Sequence, residues 1–319
     1  MTSRRRLLAF GIGIGLALAI VGPALAGGRA PEVMRPIVTM RLAGQAHAAA
    51  HKPVRSAQLS FNGGNPGVVK GTDKVYLVFW GSQWTGNDPS GEATILTSFF
   101  NHVGGSSWNA SVTQYCDGVP SGTVTCGASG NHATNPAAVL GGTWNDNSVA
   151  APAHPSQGDL AGEAIRAAAH FGNTSPGSNN TVQYAILTAT GNNASGAGSS
   201  YCAWHSWTNS TYGNIAYTNM PYVTDYGASC GAGFNGLSQT AGITIVEGHE
   251  FAETESDIFP SSGWIDRNGA ENADKCAWIS GSGTGATKVV TFGNTSFPVQ
   301  ALWSNAFNSN AGGCVQSYP

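Results

Sequence analysis

His249 and Glu253 stand one helical turn apart in the string His249-Glu250-Phe251-Ala252-Glu253, a spacing that stacks two metal-ligating side chains on one helix face. The string is one residue away from the HExxH of zinc hydrolases, with a glutamate where the second histidine would stand. Carboxylate oxygen is an acceptable zinc ligand, so the pair offers the beginning of a metal site. Glu250, beside the first ligand, is placed to take a proton from metal-bound water, which makes it the candidate catalytic base. HExxE also recurs by chance in acidic helices, and the plain alternative is a solvated helix end with one stray histidine. Against that alternative stand Ile243, Val246 and Phe251, which mark the helix as packed.

The surrounding charge sharpens the question. Glu247, Glu250, Glu253, Glu255, Asp257, Asp266, Glu271 and Asp274 are half of the sixteen acids that follow Phe61, crowded into 28 residues with only Arg267 among them and Lys275 next after them. At 100° per residue, His249, Glu250, Glu253 and Asp257 fall within one 100° arc, and Val246 lies inside it. Carboxylates four apart repel by about 0.2–0.5 kcal/mol even in water, and by more on a half-buried face unless a cation sits there. Further ligands are expected from Asp257 or from the loop containing Asp266, Glu271 and Asp274. That loop alternates oxygen side chains around Gly269, as calcium loops do, so calcium is a second candidate ion beside zinc. An imidazole ligand favours zinc or another transition metal. His205, in Tyr201-Cys202-Ala203-Trp204-His205-Ser206, is a possible additional ligand, or else a hydrogen-bonded histidine in a loop.

Elements that could position these groups follow from periodicity. The unbroken apolar run from Lys74 to Trp80 reads as a buried strand, as do residues 182–188 and 214–222, and 111–115 reads as a short strand. Helices are expected at 91–103, at 159–171 and at 238–257, the last ended near Pro260. Strands alternating with helices give an α/β or α+β class: a mixed sheet with packed helices, one of them metal-bearing in the manner of a zincin.

Composition narrows the function classes. Only 10% of the 319 residues are charged, and 14 Lys and Arg against 17 Asp and Glu exclude a nucleic-acid binder that works by neutralising phosphates. Arg4, Arg5 and Arg6 precede an apolar run from Leu7 to Val21 and an A-x-A ending at Ala26, so residues 1–26 read as a signal peptide. No other stretch is apolar enough to span a bilayer, and the expected product is secreted, with no membrane anchor after cleavage. Residues 27–60, alanine-rich and basic, read as a flexible lead-in or propeptide, and 61–319 as a single domain. The six cysteines, Cys116, Cys126, Cys202, Cys230, Cys276 and Cys314, are even in number in an exported chain, which argues for disulfides stapling the loops. Fifteen pairings are possible, and proximity favours Cys116 with Cys126, Cys202 with Cys230, and Cys276 with Cys314.

Several stretches together resemble the EXORDIUM (phosphate-induced protein) family: Val75-Tyr76-Leu77-Val78-Phe79-Trp80-Gly81, Ser107-Trp108, Tyr201-Cys202 with His205, Met220-Pro221-Tyr222, and Leu302-Trp303-Ser304-Asn305. The bacterial form of that family is matched through His249-Glu250, Glu253, Asp257, Gly263-Trp264, Asp266, Glu271 and Asp274-Lys275-Cys276. The resemblance covers roughly Lys70 to Pro319. It implies a secreted, disulfide-bonded protein and passes on no catalytic activity. The residues themselves lead to a zinc-dependent hydrolase, peptidase-like. The competing class is a noncatalytic extracellular module with a structural metal, binding another protein or cell-wall polysaccharide through aromatics such as Tyr201, Trp204 and Trp207.

Overall fold

Strand alternation separates two main cores, beside a small third cluster of Val69, Ala216, Ile258 and Phe259. The computed structural model describes residues 32–37, 58–192 and 194–318; the expected signal peptide, 1–26, and most of the expected lead-in, 27–60, lie outside the described residues. Six strands form the central sheet: β1 (Glu32–Met34), β2 (Lys74–Trp80), β3 (Leu140–Asp146), β4 (Val182–Thr188), β5 (Ala203–Ser210) and β6 (Gly213–Met220). Their order is β1-β5-β6-β4-β2-β3, with β3, β2, β4 and β6 mutually parallel and β5 antiparallel to both its neighbours. Along β2 and β4, Val78, Trp80, Tyr184 and Ile186 join one core, while Leu77, Phe79, Ala185 and Leu187 join the other. That is the period-2 signature of strands buried on both faces.

Helix α2 (Gln157–His170) covers the first face with Leu160, Ala164, Ala167 and Ala168. It begins two residues earlier than the sequence suggests, because Ser156 is the cap and Asp159 closes the box by accepting from the Ser156 backbone N–H. The second face carries α1 (Glu92–His102) and α3 (Ala241–Ser256), with the hairpin β7 (Lys288–Phe292) and β8 (Thr295–Val299) packed on α3. Phe99, Trp108, Phe292 and Phe297 interlock beside that hairpin. Helix α3 is therefore buried along all sixteen residues, where the wheel suggests a helix with one buried face. It starts against the Cys202–Cys230 bridge, and any Cβ at Gly242 would collide with the Cys230 carbonyl.

Three strand expectations hold: 74–80 and 182–188 to the residue, and 214–222 as Gly213–Met220. The fourth does not: residues 109–114 form a 3₁₀ helix, started by Asn109 donating its backbone N–H to the Ser106 hydroxyl. Strand β3 is invisible to an apolar-run search because Gly141 and Gly142 stand where the Tyr76 ring lies; a Cβ at Gly141 would sit 2.7 Å from it. All three disulfides, Cys116–Cys126, Cys202–Cys230 and Cys276–Cys314, join the neighbours in sequence. Among the described residues no helix is long and apolar enough to cross a membrane.

At the C-terminal end of α3 a buried carboxyl pair has a measurable consequence. Glu255 accepts from the Asn109 side-chain amide at 3.0 Å and shares a hydrogen bond with Asp73, so at least one proton resides on the pair. Burial pushes Asp73 up to about 7, with the Glu255 hydrogen bond and Lys74 acting against it. The folded state thus holds a proton that an unfolded aspartate, titrating near 3.8, has given up. Stability is fully present below pH 4 and declines as pH rises toward 7. At about 1.4 kcal/mol per pKa unit, this slope amounts to a few kcal/mol. Asp73→Asn should remove the Asp73 share of this slope, while burial keeps Glu255 raised, so urea unfolding across pH 4–8 should show the variant gaining on wild type as pH rises. A constant difference at every pH would contradict the shared proton.

Candidate metal centre

Three elements converge under the edge of the sheet. Helix α3 supplies His249, Glu250 and Glu253, strand β5 supplies His205, and the segment that returns after α3 supplies Glu271 and Asp274. The return is held in place by Asn272, whose amide donates to the Ala252 carbonyl, and by the Cys276–Cys314 disulfide just beyond. Two sets of three ligand-bearing residues result: His205, Glu253 and Glu271, and His249, Glu250 and Glu253, the atoms of each set lying within 4.8 Å of one another. Glu253 belongs to both. Its Oε1 is 3.0 Å from His249 Nε2, and its Oε2 is 3.5 Å from His205 Nδ1.

The tautomer of His249 is fixed from behind. Gln300 donates its amide N–H groups to the carbonyls of Ala273 and Ala301, at 2.8 and 3.2 Å, which turns its Oε1 toward His249 Nδ1 at 3.1 Å. An amide oxygen only accepts, so Nδ1 carries a proton, and in the neutral ring Nε2 presents its lone pair to Glu253. A lone pair and a carboxylate oxygen 3.0 Å apart repel unless a proton or a cation lies between them. Asp274 Oδ1 lies 3.7 Å from the same nitrogen, and the Asp274 backbone N–H donates to Glu253 Oε1. Gln300 thus orients a ligand in the way that outer partners of metal-bound histidines do.

His205 is buried on β5, in a stretch that the sequence reads as a loop. Its Nδ1 lies 3.0 Å from Glu250 Oε2, and its Nε2 lies 3.5 Å from Glu271 Oε2. Burial pushes the Glu250 carboxyl up to about 8, with Asp274 adding repulsion; His249 and the backbone N–H groups of Met34 and His205 pull the other way. Glu250 Oε1 is buried with no hydrogen-bond partner among the described residues. A donor set of two imidazoles and several carboxylates, almost all out of water, could hold a metal ion.

Two expected ligands lie elsewhere. Asp257 leaves the helix at φ −150°, ψ 70°, so the wheel no longer describes it. Its carboxylate accepts the backbone N–H groups of Ser261, Ser262 and Gly263, closing the turn that follows α3. Asp266 accepts from the backbone of Asn268 and Ala270, and its other oxygen meets Lys275 at 3.3 Å. The acidic loop therefore divides: Asp266 shapes the turn, while Glu271 and Asp274 face the histidines. Tyr201 and Trp204 are buried on the α2 side of the sheet, with Trp204 edge-on to Tyr217. Two participants escape sequence reading. Gln300 follows β8 with no motif around it, and the Met34 backbone N–H belongs to a segment with no apolar period.

No family model, curated protein or solved structure matches this chain.

Proposed function

We propose that this chain is an exported, metal-dependent hydrolase of the EXORDIUM-like type, acting on peptide bonds. The observation that carries the reading is Glu253 standing between two buried histidines, one oxygen toward each. In this reading His249, Glu253, His205 and Glu271 hold a zinc-class ion, and Asp274 borders it. A bound ion of that class would polarise a carbonyl and lower the pKa of water. The protein's own contribution is positional. Gln300 sets the His249 tautomer, and Glu250 is held through Oε2 by His205, leaving Oε1 to take and return the proton. A mixed sheet whose antiparallel strand runs past the metal-bearing helix supports a zincin-like arrangement by analogy of form. Three disulfides accord with an extracellular location.

Incubation with unfolded proteins and, separately, with cell-wall fractions tests this reading, with new termini counted by mass spectrometry. Cleavage of the unfolded proteins that stops in chelator and returns with zinc is the expected result. Metal bound but no new termini from either material would instead favour a noncatalytic module with a structural ion.

A further inference from the structure

Strand β5 continues past His205 to Trp207, which returns to the same face of the sheet two residues and about 7 Å further along. Tyr201 and Trp204 are buried, whereas Trp207 is half-buried and forms part of the wall of a cleft of about 680 Å³. Phe259, from the turn that follows α3, tilts against Trp207 with ring centroids 5.8 Å apart, and Pro66 and Pro260 add to the apolar lining. The remaining lining side chains are Asn65, Asn214, Ser261 and Ser262, so no charged residue borders the cleft.

Its walls come from three segments that the protein ties together. The Asp257 carboxylate holds the backbone N–H groups of Ser261 and Ser262. The Gly64 N–H donates to the Ser262 carbonyl at 2.7 Å and the Asn62 side-chain amide to the Ser261 carbonyl at 2.6 Å, which fixes the segment carrying Asn65 to the turn carrying Phe259. Ser261 is held at φ 73°, a left-handed backbone that persists where the surroundings over-determine it. On the β5–β6 hairpin, Asn214 Oδ1 accepts from the Asn209 amide at 3.0 Å, so the Asn214 amide N–H groups are left to donate elsewhere. The exposed Asn65 amide offers both a donor and an acceptor.

We infer that this cleft binds a neutral polysaccharide, with a pyranose ring stacked on Trp207 and its hydroxyls on the amides of Asn65 and Asn214. A pyranose presents an apolar C–H face and a rim of hydroxyls that both donate and accept, and an aromatic wall flanked by uncharged amides and hydroxyls matches both. A phosphate or an acidic sugar would meet no cation here. An aliphatic or aromatic peptide side chain would cover the amides and serine hydroxyls without pairing them, which costs more than the apolar contact alone suggests. The cleft shares no lining residue with the one of about 710 Å³ beside the candidate centre, where Asp274 is exposed, so a chain anchored through Trp207 keeps that second cleft open. The site therefore stands apart from the peptidase reading and holds whether or not the centre is catalytic.

The test titrates the full chain with two uncharged probes, cellohexaose and chitohexaose, and with an oligogalacturonate as the charged control, by calorimetry. Saturable binding of at least one neutral hexaose is expected with Kd below about 1 mM. Trp207→Ala should weaken it by about tenfold or more, and Trp207→Phe should keep most of it. Asn65→Ala, at an exposed position, should weaken it by about fivefold and serves where Trp207→Ala fails to fold. Affinity should be the same with and without chelator. Absence of saturable binding by either neutral hexaose would overturn the inference, as would tighter binding of the oligogalacturonate. Binding that is equal in wild type and in both alanine variants, or that disappears in chelator, would place the sugar elsewhere and overturn it as well.

Discussion

Glu250→Gln should lower kcat for peptide hydrolysis by about 10²-fold or more while metal content and melting temperature stay at wild-type values. The swap keeps size and shape. What it removes is an oxygen able to take a proton at Oε1, which is buried and has no hydrogen-bond partner among the described residues. Glu247 provides the control. It is equally buried, one turn back on α3, and burial followed by repulsion from Glu250 raises its carboxyl well above the ordinary range. Among the described residues neither of its oxygens has a hydrogen-bond partner, yet it belongs to neither ligand set. Glu247→Gln removes a costly buried acid, so the protein should be as stable or more stable, with kcat within a fewfold of wild type. Equal losses in the two variants would show that any buried acid on α3 serves, and would remove the assigned role of Glu250.

His249→Ala should release the metal and lower the melting temperature by on the order of 10 °C. A ligand present at about a thousand times its Kd stabilises by roughly 4 kcal/mol, and a domain of this size shifts by about 2–4 °C per kcal/mol. Without an ion, Glu253 and its acidic neighbours also lose the charge that offsets their burial. Chelator should reproduce the drop in wild type and do nothing further to the variant. Gln300→Leu should act more weakly, costing about 10–100-fold in metal affinity, because it frees the His249 ring without deleting the ligand. Asp257→Asn should leave metal content unchanged, since that carboxylate closes the turn after the helix.

Much of this centre is written locally in the chain, and the parts that are not have definite causes. His249, Glu250 and Glu253 are legible because one helical turn is a fixed geometry, and Glu271 and Asp274 because acids accumulate after it. Asp257 misleads for the same reason: the wheel assumes that the helix continues, and it stops at Ser256. His205 reads as a loop residue because Ser206, Thr208 and Asn209 break the apolar pattern of β5, which is held by pairing to β6 instead. The all-round burial of α3 is set by β7 and β8, some forty residues downstream, and no local period reports it. Likewise the sheet order, with β1 laid on the edge beside the centre, depends on contacts between residues far apart in sequence.

Elemental analysis of wild-type protein purified without chelator tests the central claim most directly. Close to one equivalent of zinc or a similar transition ion per chain is predicted, falling to background in His249→Ala and retained in Glu250→Gln. A metal-free wild type whose melting temperature is the same with chelator and with added zinc would contradict the account, leaving the histidines and carboxylates as a buried network held by protons.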